Sequence, residues 1–216
     1  MEVIIIGAGG HGKVVLDILR AAGKHKPIGF IDADVALAGS IIGGLPVIGP
    51  ANLLPKVKQQ KVRGAIIAIG DNRTRLQYAQ MLSEQGFELI NAIHPTASVS
   101  PAATLGSNVV VAAQAAICTE ARIADSVIIN TAAVVDHECI VDAGAHIAPG
   151  VRLAGRVHIG AGAFVGIGAT VIQCLNVGEY AVVGAGAVVI ADLPGHVTAV
   201  GVPAKVIKGK RANVVI

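Results

Sequence analysis

The sequence predicts a small, doubly wound α/β domain followed by an all-β parallel β-helix. Three observations carry this reading: an unbroken six-residue period over residues 93–194, alternating strand and helix patterns before it, and a glycine loop at the first strand-to-helix turn. From Ile93 to Pro194 the chain divides into seventeen six-residue words without insertion or deletion. The first letter is always Ile, Val or Leu, from Ile93, Val99 and Leu105 through to Val189. The fifth is always apolar and mostly small, as at Ala97, Ala133, Cys139 and Ala163. Six residues make one short flat side, so three words close a triangular coil with the first letters stacked inside. Seventeen words give about 5.7 coils, a prism about 27 Å long at the usual strand spacing. Such a prism has no room inside for rings, and its aromatic residues, Phe164 and Tyr180, fall at the sixth and fourth letters, which face outward. Its ends leave ladder groups uncovered, so a cap is expected at each.

Residues 1–92 read as a separate domain. Val3 to Ile6 is a short apolar strand, Gly7 to Gly12 a glycine loop, and Lys13 to Ala22 a helix with Val15, Leu16 and Leu19 on one face. Ile28 to Ile31 is a second strand ending at Asp32, and Val35 to Pro50, rich in glycine and proline, reads as a loop. Ala65 to Ile69 is a third strand. Asp71 is an N-cap for a helix over Arg73 to Gln85, and Phe87 to Ile93 is a fourth strand. Strand and helix alternation implies a parallel sheet. His94-Pro95 marks the boundary with the repeats at 93–194, and residues 195–216 form a tail. In that tail, Lys205, Lys208, Lys210 and Arg211 read as a solvated basic terminus, with the 3′-phosphate of a coenzyme as the alternative contact.

Composition narrows the class. The chain is 53% hydrophobic and 14% charged, which excludes disorder, and a net charge of +3 gives no reason to expect a nucleic-acid partner. The mean hydropathy of +0.68 comes from the Val, Ile, Ala and Gly of the repeats, and no apolar run is long enough to span a membrane. The apolar start runs straight into the glycine loop, so it reads as a strand and not as a leader. Cys118, Cys139 and Cys174 share no metal spacing and suit a reducing cytoplasm, with Cys139 as core filler at an inward letter.

Two constellations carry chemistry. Gly7, Gly9 and Gly12 satisfy GxGxxG between a strand and a helix, and Asp32 lies twenty residues after Gly12, as in nicotinamide dinucleotide sites. A dinucleotide needs a second binding half that ninety residues scarcely supply. The same loop suits the pyrophosphate of a nucleotide sugar, with Asp32 free to bond a ribose or base, or it is simply a tight packing turn. In the repeats, Asp136-His137-Glu138 interrupts small, weakly polar letters with three groups that hold or move protons. His137 is a third letter, pointing outward at a corner, and one coil later Gly155 leaves open space beside it. His146 lies half a coil away, so two prisms side by side, or a ring of three, could bring both histidines to one ligand. The other histidines have no such company.

These residues mark a resemblance. The loop GAGGHG on an α/β domain, the stretch Asn130 to Glu138, then His146 to Gly150 and the closing Gly201-Val202-Pro203-Ala204-Lys205 resemble the bacterial sugar O/N-acetyltransferases built on a left-handed β-helix. Within that group the chain is similar to nucleotide-4-aminosugar N-acetyltransferases of the PglD type and to sialic acid O-acetyltransferases of the NeuD type. The resemblance implies a Rossmann-like nucleotide-sugar domain, a left-handed helix, acetyl-CoA as co-substrate, no metal, and a homotrimer with active sites between subunits. It implies His137 as general base with Glu138 raising its basicity. His146 and backbone near Gly155, Ile167 and Ala185 would line the acetyl-CoA slot. Gly9, Gly10, His11, Asp32, Ala33, Gly70, Asp71 and Asn72 would hold the nucleotide sugar. The methyl of Ala185 narrows the pantetheine path relative to a glycine there.

The expected activity is N-acetylation of a nucleotide-linked 4-amino-4,6-dideoxysugar, with UDP preferred on the strength of Asp32 and the loop. Transfer would be direct, since Cys139 points inward and no serine adjoins His137. Three alternatives keep part of the pattern. A sugar O-acetyltransferase changes only the acceptor; a γ-carbonic anhydrase needs three close zinc-binding histidines, which the spacings of 9 and 12 do not give; a nicotinamide oxidoreductase predicts NADH binding. A purely structural β-helix predicts no coenzyme affinity.

Overall fold

The computed structural model describes residues 1–207. The N-terminal domain contains β1 (Glu2–Ile6), α1 (Gly10–Ala22), β2 (Lys26–Ile31), β3 (Ile41–Ile42), β4 (Leu45–Gly49), α2 (Leu54–Gln59), β5 (Gly64–Ile67), α3 (Asn72–Glu84) and β6 (Glu88–Leu89). The sheet order is β3-β4-β2-β1-β5-β6, parallel throughout except for the β3–β4 hairpin. The chain leaves β1 toward β2 and later returns on its other side as β5, so a crevice opens at the carboxyl ends of these strands.

The segment Val35 to Pro50, expected as a loop, carries this hairpin, and β4 pairs parallel with β2 through Phe30 and Val47. The turn is Gly43-Gly44, with φ of +54° and +78°, the geometry that two-residue hairpins demand and glycine supplies. Pro46 is tolerated because only the two-residue β3 lies beyond it. The expected fourth strand is also divided. Its start is β6, while Ala92–Ile93 already belongs to the first side of the prism.

Each word of the repeat contributes one two-residue strand, letters six and one, and these stack into three parallel sheets. The first face runs from Ala92–Ile93 through His146–Ile147 to Thr198–Val200, the second from Ser98–Val99 to Val188–Val189, and the third from Thr104–Leu105 to Asn176–Val177. First and fifth letters fill the interior, and the first letters from Val111 to Val189 are buried. The fold is a left-handed β-helix. Every fourth letter from Asn108 to Gly186 has φ near +60°, including Glu138 and Arg156, because the corner must turn there. At the C-terminal end, Thr198–Val200 forms an antiparallel pair with Lys205–Val206 and covers the last coil. Lys208, Lys210 and Arg211 lie outside the described residues. No described helix is long and apolar enough to cross a membrane.

The two domains pack directly. α1 lies between the sheet and the first face of the prism, where Val15, Leu16, Ile18 and Leu19 share a core with Ala92, Val110, Ala112 and Ile128. The sequence holds a signal for this. Sixth letters on the first face are mostly apolar (Ala92, Val110, Ile128, Phe164, Val182), whereas the third face shows Thr104, Arg122, Ile140, His158 and Asn176.

Candidate active site

The corner between the second and third faces carries His137. Its Nδ1 lies 3.0 Å from Glu138 Oε2, while Asp136 uses Oδ1 to accept the backbone N–H of His137 at 2.7 Å. Glu138 therefore holds the ring, and Asp136 holds the backbone beneath it. Placing the Nδ1 proton toward Glu138 leaves Nε2 with a free lone pair. Nε2 lies over Gly155, where an added Cβ would stand 2.4 Å from it and from Cε1. Only glycine at 155 lets the ring lie in this position. Hydrogen bonds from His137 and then from Arg156 hold the Glu138 carboxyl below its usual range.

Gly155, Ile167 and Ala185 are all third letters, and none of their backbone N–H groups has a hydrogen-bond partner among the described residues. Such outward donors are available to a ligand. Gly155 sits on the His137 corner, whereas Ile167 and Ala185 occupy the corner between the first and second faces. Within one chain these positions do not meet. Cys139 is fully buried, donates to the Ala154 carbonyl at 3.1 Å, and has its thiol pushed up to about 11 by burial, which leaves it inert.

The crevice at the strand ends is built by the glycine loop. Gly7 adopts φ +103°, and a Cβ at Gly12 would meet the Gly7 carbonyl at 2.1 Å, so this pair packs α1 onto β1. Gly9 and Gly10 face open space at the helix N-terminus, where free N–H groups suit an anion. Asp32 is already engaged: Oδ2 accepts from Ala8 N–H at 2.7 Å and Oδ1 from Asp34 N–H at 2.9 Å. Ala33 beside it is exposed. Asp71 caps α3 by accepting from Thr74 N–H at 2.8 Å, and its pKa is lowered first by the Thr74 side chain and then by that backbone bond.

Asn72 turns away from the crevice. Its Nδ2 donates to the carbonyls of Gly162 and Ala163 at 3.0 and 3.1 Å, and its Oδ1 accepts from Arg75. Arg75 is fully buried and spends its donors on the carbonyls of Ser126, Ile69, Gly70 and Gly144 at 2.8 to 3.1 Å. Burial pushes its pKa down to about 10, with Asp71 opposing, so it stays charged near neutral pH. Asn108 completes this seam by accepting the Ile67 N–H at 2.8 Å and donating to Ser126 Oγ at 3.0 Å. Sequence reasoning missed Arg75, because an arginine on a helix reads as solvated until the docking face is known.

His146, on the first face, is 6% exposed and lies under the N-terminal domain. Its Nε2 is 3.2 Å from Asn130 Nδ2, its ring meets Phe164 edge-on at 5.2 Å, and the His11 ring is 6.4 Å away. His11 Nε2 and His146 Nδ1 are buried without a hydrogen-bond partner among the described residues. Burial first, then the Arg75 charge, pushes His11 down to about 4 and His146 down to about 3, so both are neutral. The structure thus joins His146 to His11 of the glycine loop and leaves His137 on another corner. Among the described residues no three His, Cys, Asp or Glu side chains are placed to hold a metal.

Known proteins share this order of domains. The family described as the PglD N-terminal domain matches residues 2–82. PerB from Caulobacter crescentus, solved with CoA and GDP-perosamine, is 46% identical over 96% of this chain and 97% of its own, with a TM-score of 0.92. A His-to-Asn variant of perosamine N-acetyltransferase from the same organism, also with CoA and GDP-perosamine, is 45% identical over 97% and 98%, with a TM-score of 0.93. The acetyltransferase domain of PglB from Neisseria gonorrhoeae FA1090, solved with acetyl coenzyme A, is 40% identical over 95% and 98%, with a TM-score of 0.89. With both domains matched in order and over nearly their whole length, the chain belongs to the PglD/NeuD-like family of CoA-dependent sugar acetyltransferases.

Proposed function

We propose that this enzyme transfers the acetyl group of acetyl-CoA to the amine of a nucleotide-linked 4-amino-4,6-dideoxysugar in bacterial surface-glycan synthesis. The observation that carries the proposal is the ring of His137, held by Glu138 over Gly155 beside an unused backbone N–H. His137 Nε2 takes a proton from the amine as nitrogen adds to the thioester carbonyl. The Gly155 N–H is placed to steady the oxyanion, and collapse of the tetrahedral adduct expels the CoA thiolate. Transfer is direct on this reading, with Cys139 buried inside the prism and no serine next to His137 in the chain.

The coenzyme slot requires two corners that a single prism keeps apart. We infer a homotrimer in which Gly155 and His137 of one copy face Ile167 and Ala185 of the next, with His146 and the glycine loop lining the acceptor side. Asp32, on which the preference for UDP rested, already accepts from the Ala8 and Asp34 N–H groups, and its remaining lone pairs suit a guanosine as well as a uridine. The relatives with bound GDP-perosamine make a GDP-linked aminosugar the first acceptor to try.

The test follows thiol release from acetyl-CoA with GDP-, UDP- and dTDP-linked 4-aminosugars and with free sialic acid. Turnover on one of the nucleotide aminosugars is expected. Release with sialic acid alone would move the enzyme to the O-acetylating branch, and release with none would remove the proposal.

A further inference from the structure

The carboxylate that holds His137 has a second partner. Glu138 Oε2 accepts from His137 Nδ1 at 3.0 Å and from Arg156 Nε at 3.0 Å, so one oxygen serves both. Arg156 is also a fourth letter, one coil above Glu138, and both take φ near +60°. The corner therefore presents their side chains as neighbours on one ladder, as an opposite-charge cross-strand pair. Their side chains remain 62% and 40% exposed, so the pair adds little to stability. Its effect falls on the third group. Asp136 is turned to the His137 backbone, so Glu138 is the carboxylate on the ring and Arg156 is its second partner.

We propose that Arg156 is a positioning residue that fixes the His137 ring through the shared oxygen of Glu138. This rests on the reading of His137 as the base. The bifurcated contact pins the carboxylate where its oxygen accepts from Nδ1, which fixes the Nδ1-protonated tautomer and leaves Nε2 free over Gly155. Without the guanidinium the half-exposed carboxylate can rotate, and the ring loses its fixed partner.

The experiment compares Arg156→Gln and Arg156→Lys with the parent enzyme. Steady-state kinetics give kcat and KM for acetyl-CoA, and the nitrogen chemical shifts of histidine-labelled protein show which ring nitrogen of His137 carries the proton, its signal identified by its loss in His137→Gln. In Arg156→Gln kcat should fall about threefold or more with KM and Tm unchanged, and the His137 signature should move from the Nδ1-protonated tautomer toward a mixture. Arg156→Lys should return most of both effects. A tautomer signature unmoved in Arg156→Gln overturns the inference, as does a raised KM for acetyl-CoA with that signature unmoved. If the signature moves and kcat stays in place, Arg156 positions the ring as stated and His137 is not the base.

Discussion

Gly155 and His137 work as one unit, and their separation in sequence by one coil is the reason. His137→Ala should lower kcat by about a hundredfold or more, with little change in Tm because the ring is half exposed. Gly155→Ala tests the same geometry from below. The new methyl would displace the imidazole, whose exposed tip can swing away, so kcat should fall at least tenfold while stability changes by less than about 1 kcal/mol. Steady-state kinetics and thermal melts on both variants check this, and an active Gly155→Ala enzyme would refute the cradle. At this scale the sequence was legible where periodicity fixed direction. The letter count placed His137 at a corner with Gly155 above it, and Cys139 inward. It could not choose between Asp136 and Glu138, since adjacent carboxylates differ only in where backbone torsions send them. The φ of +58° at Glu138 decides that.

The elements show where a pattern informs and where it fails. Hexad strands were readable because each first letter meets the same steric demand, and α1 because its apolar face repeats at helical spacing. The β3–β4 hairpin escaped because glycines and prolines interrupt its short apolar runs, although Gly43-Gly44 is the turn that such strands require. The seam between α3 and the prism escaped for another reason: its polar residues have apolar surroundings that only tertiary structure reveals. Arg75 is the test of that seam. Arg75→Met would leave buried carbonyls from Ser126, Gly144, Ile69 and Gly70 without donors and should cost about 3–5 kcal/mol. Urea unfolding measures the loss, and a variant as stable as the parent would show that the seam holds without its cation.

The molecule as a whole has an acid limit and, on the proposed reading, a requirement for company. His11 and His146 are neutral when folded, with pKa values of about 4 and about 3, whereas in the unfolded chain both titrate near 6.5. The unfolded state therefore binds more protons below about pH 6.5, and stability should fall with pH from there by roughly 1.4 kcal/mol per unit for each histidine. Unfolding free energies at pH 7 and pH 5 measure this, and His146→Leu should flatten the slope. The inferred trimer can be tested by mixing two inactive chains, His137→Ala and Ala185→Trp. Assemblies reformed from both should recover part of the activity, because some interfaces would then join two intact corners; no recovery would place the site within one chain. The trapped helix α1 and the buried guanidinium have a last consequence. Among the described residues sheet and prism share one packed seam, so the distance from the glycine loop to the prism is set once, when the chain folds. On the proposed reading that distance is a ruler: acceptors should be sorted by their reach, and a sugar one bond longer or shorter should turn over more slowly.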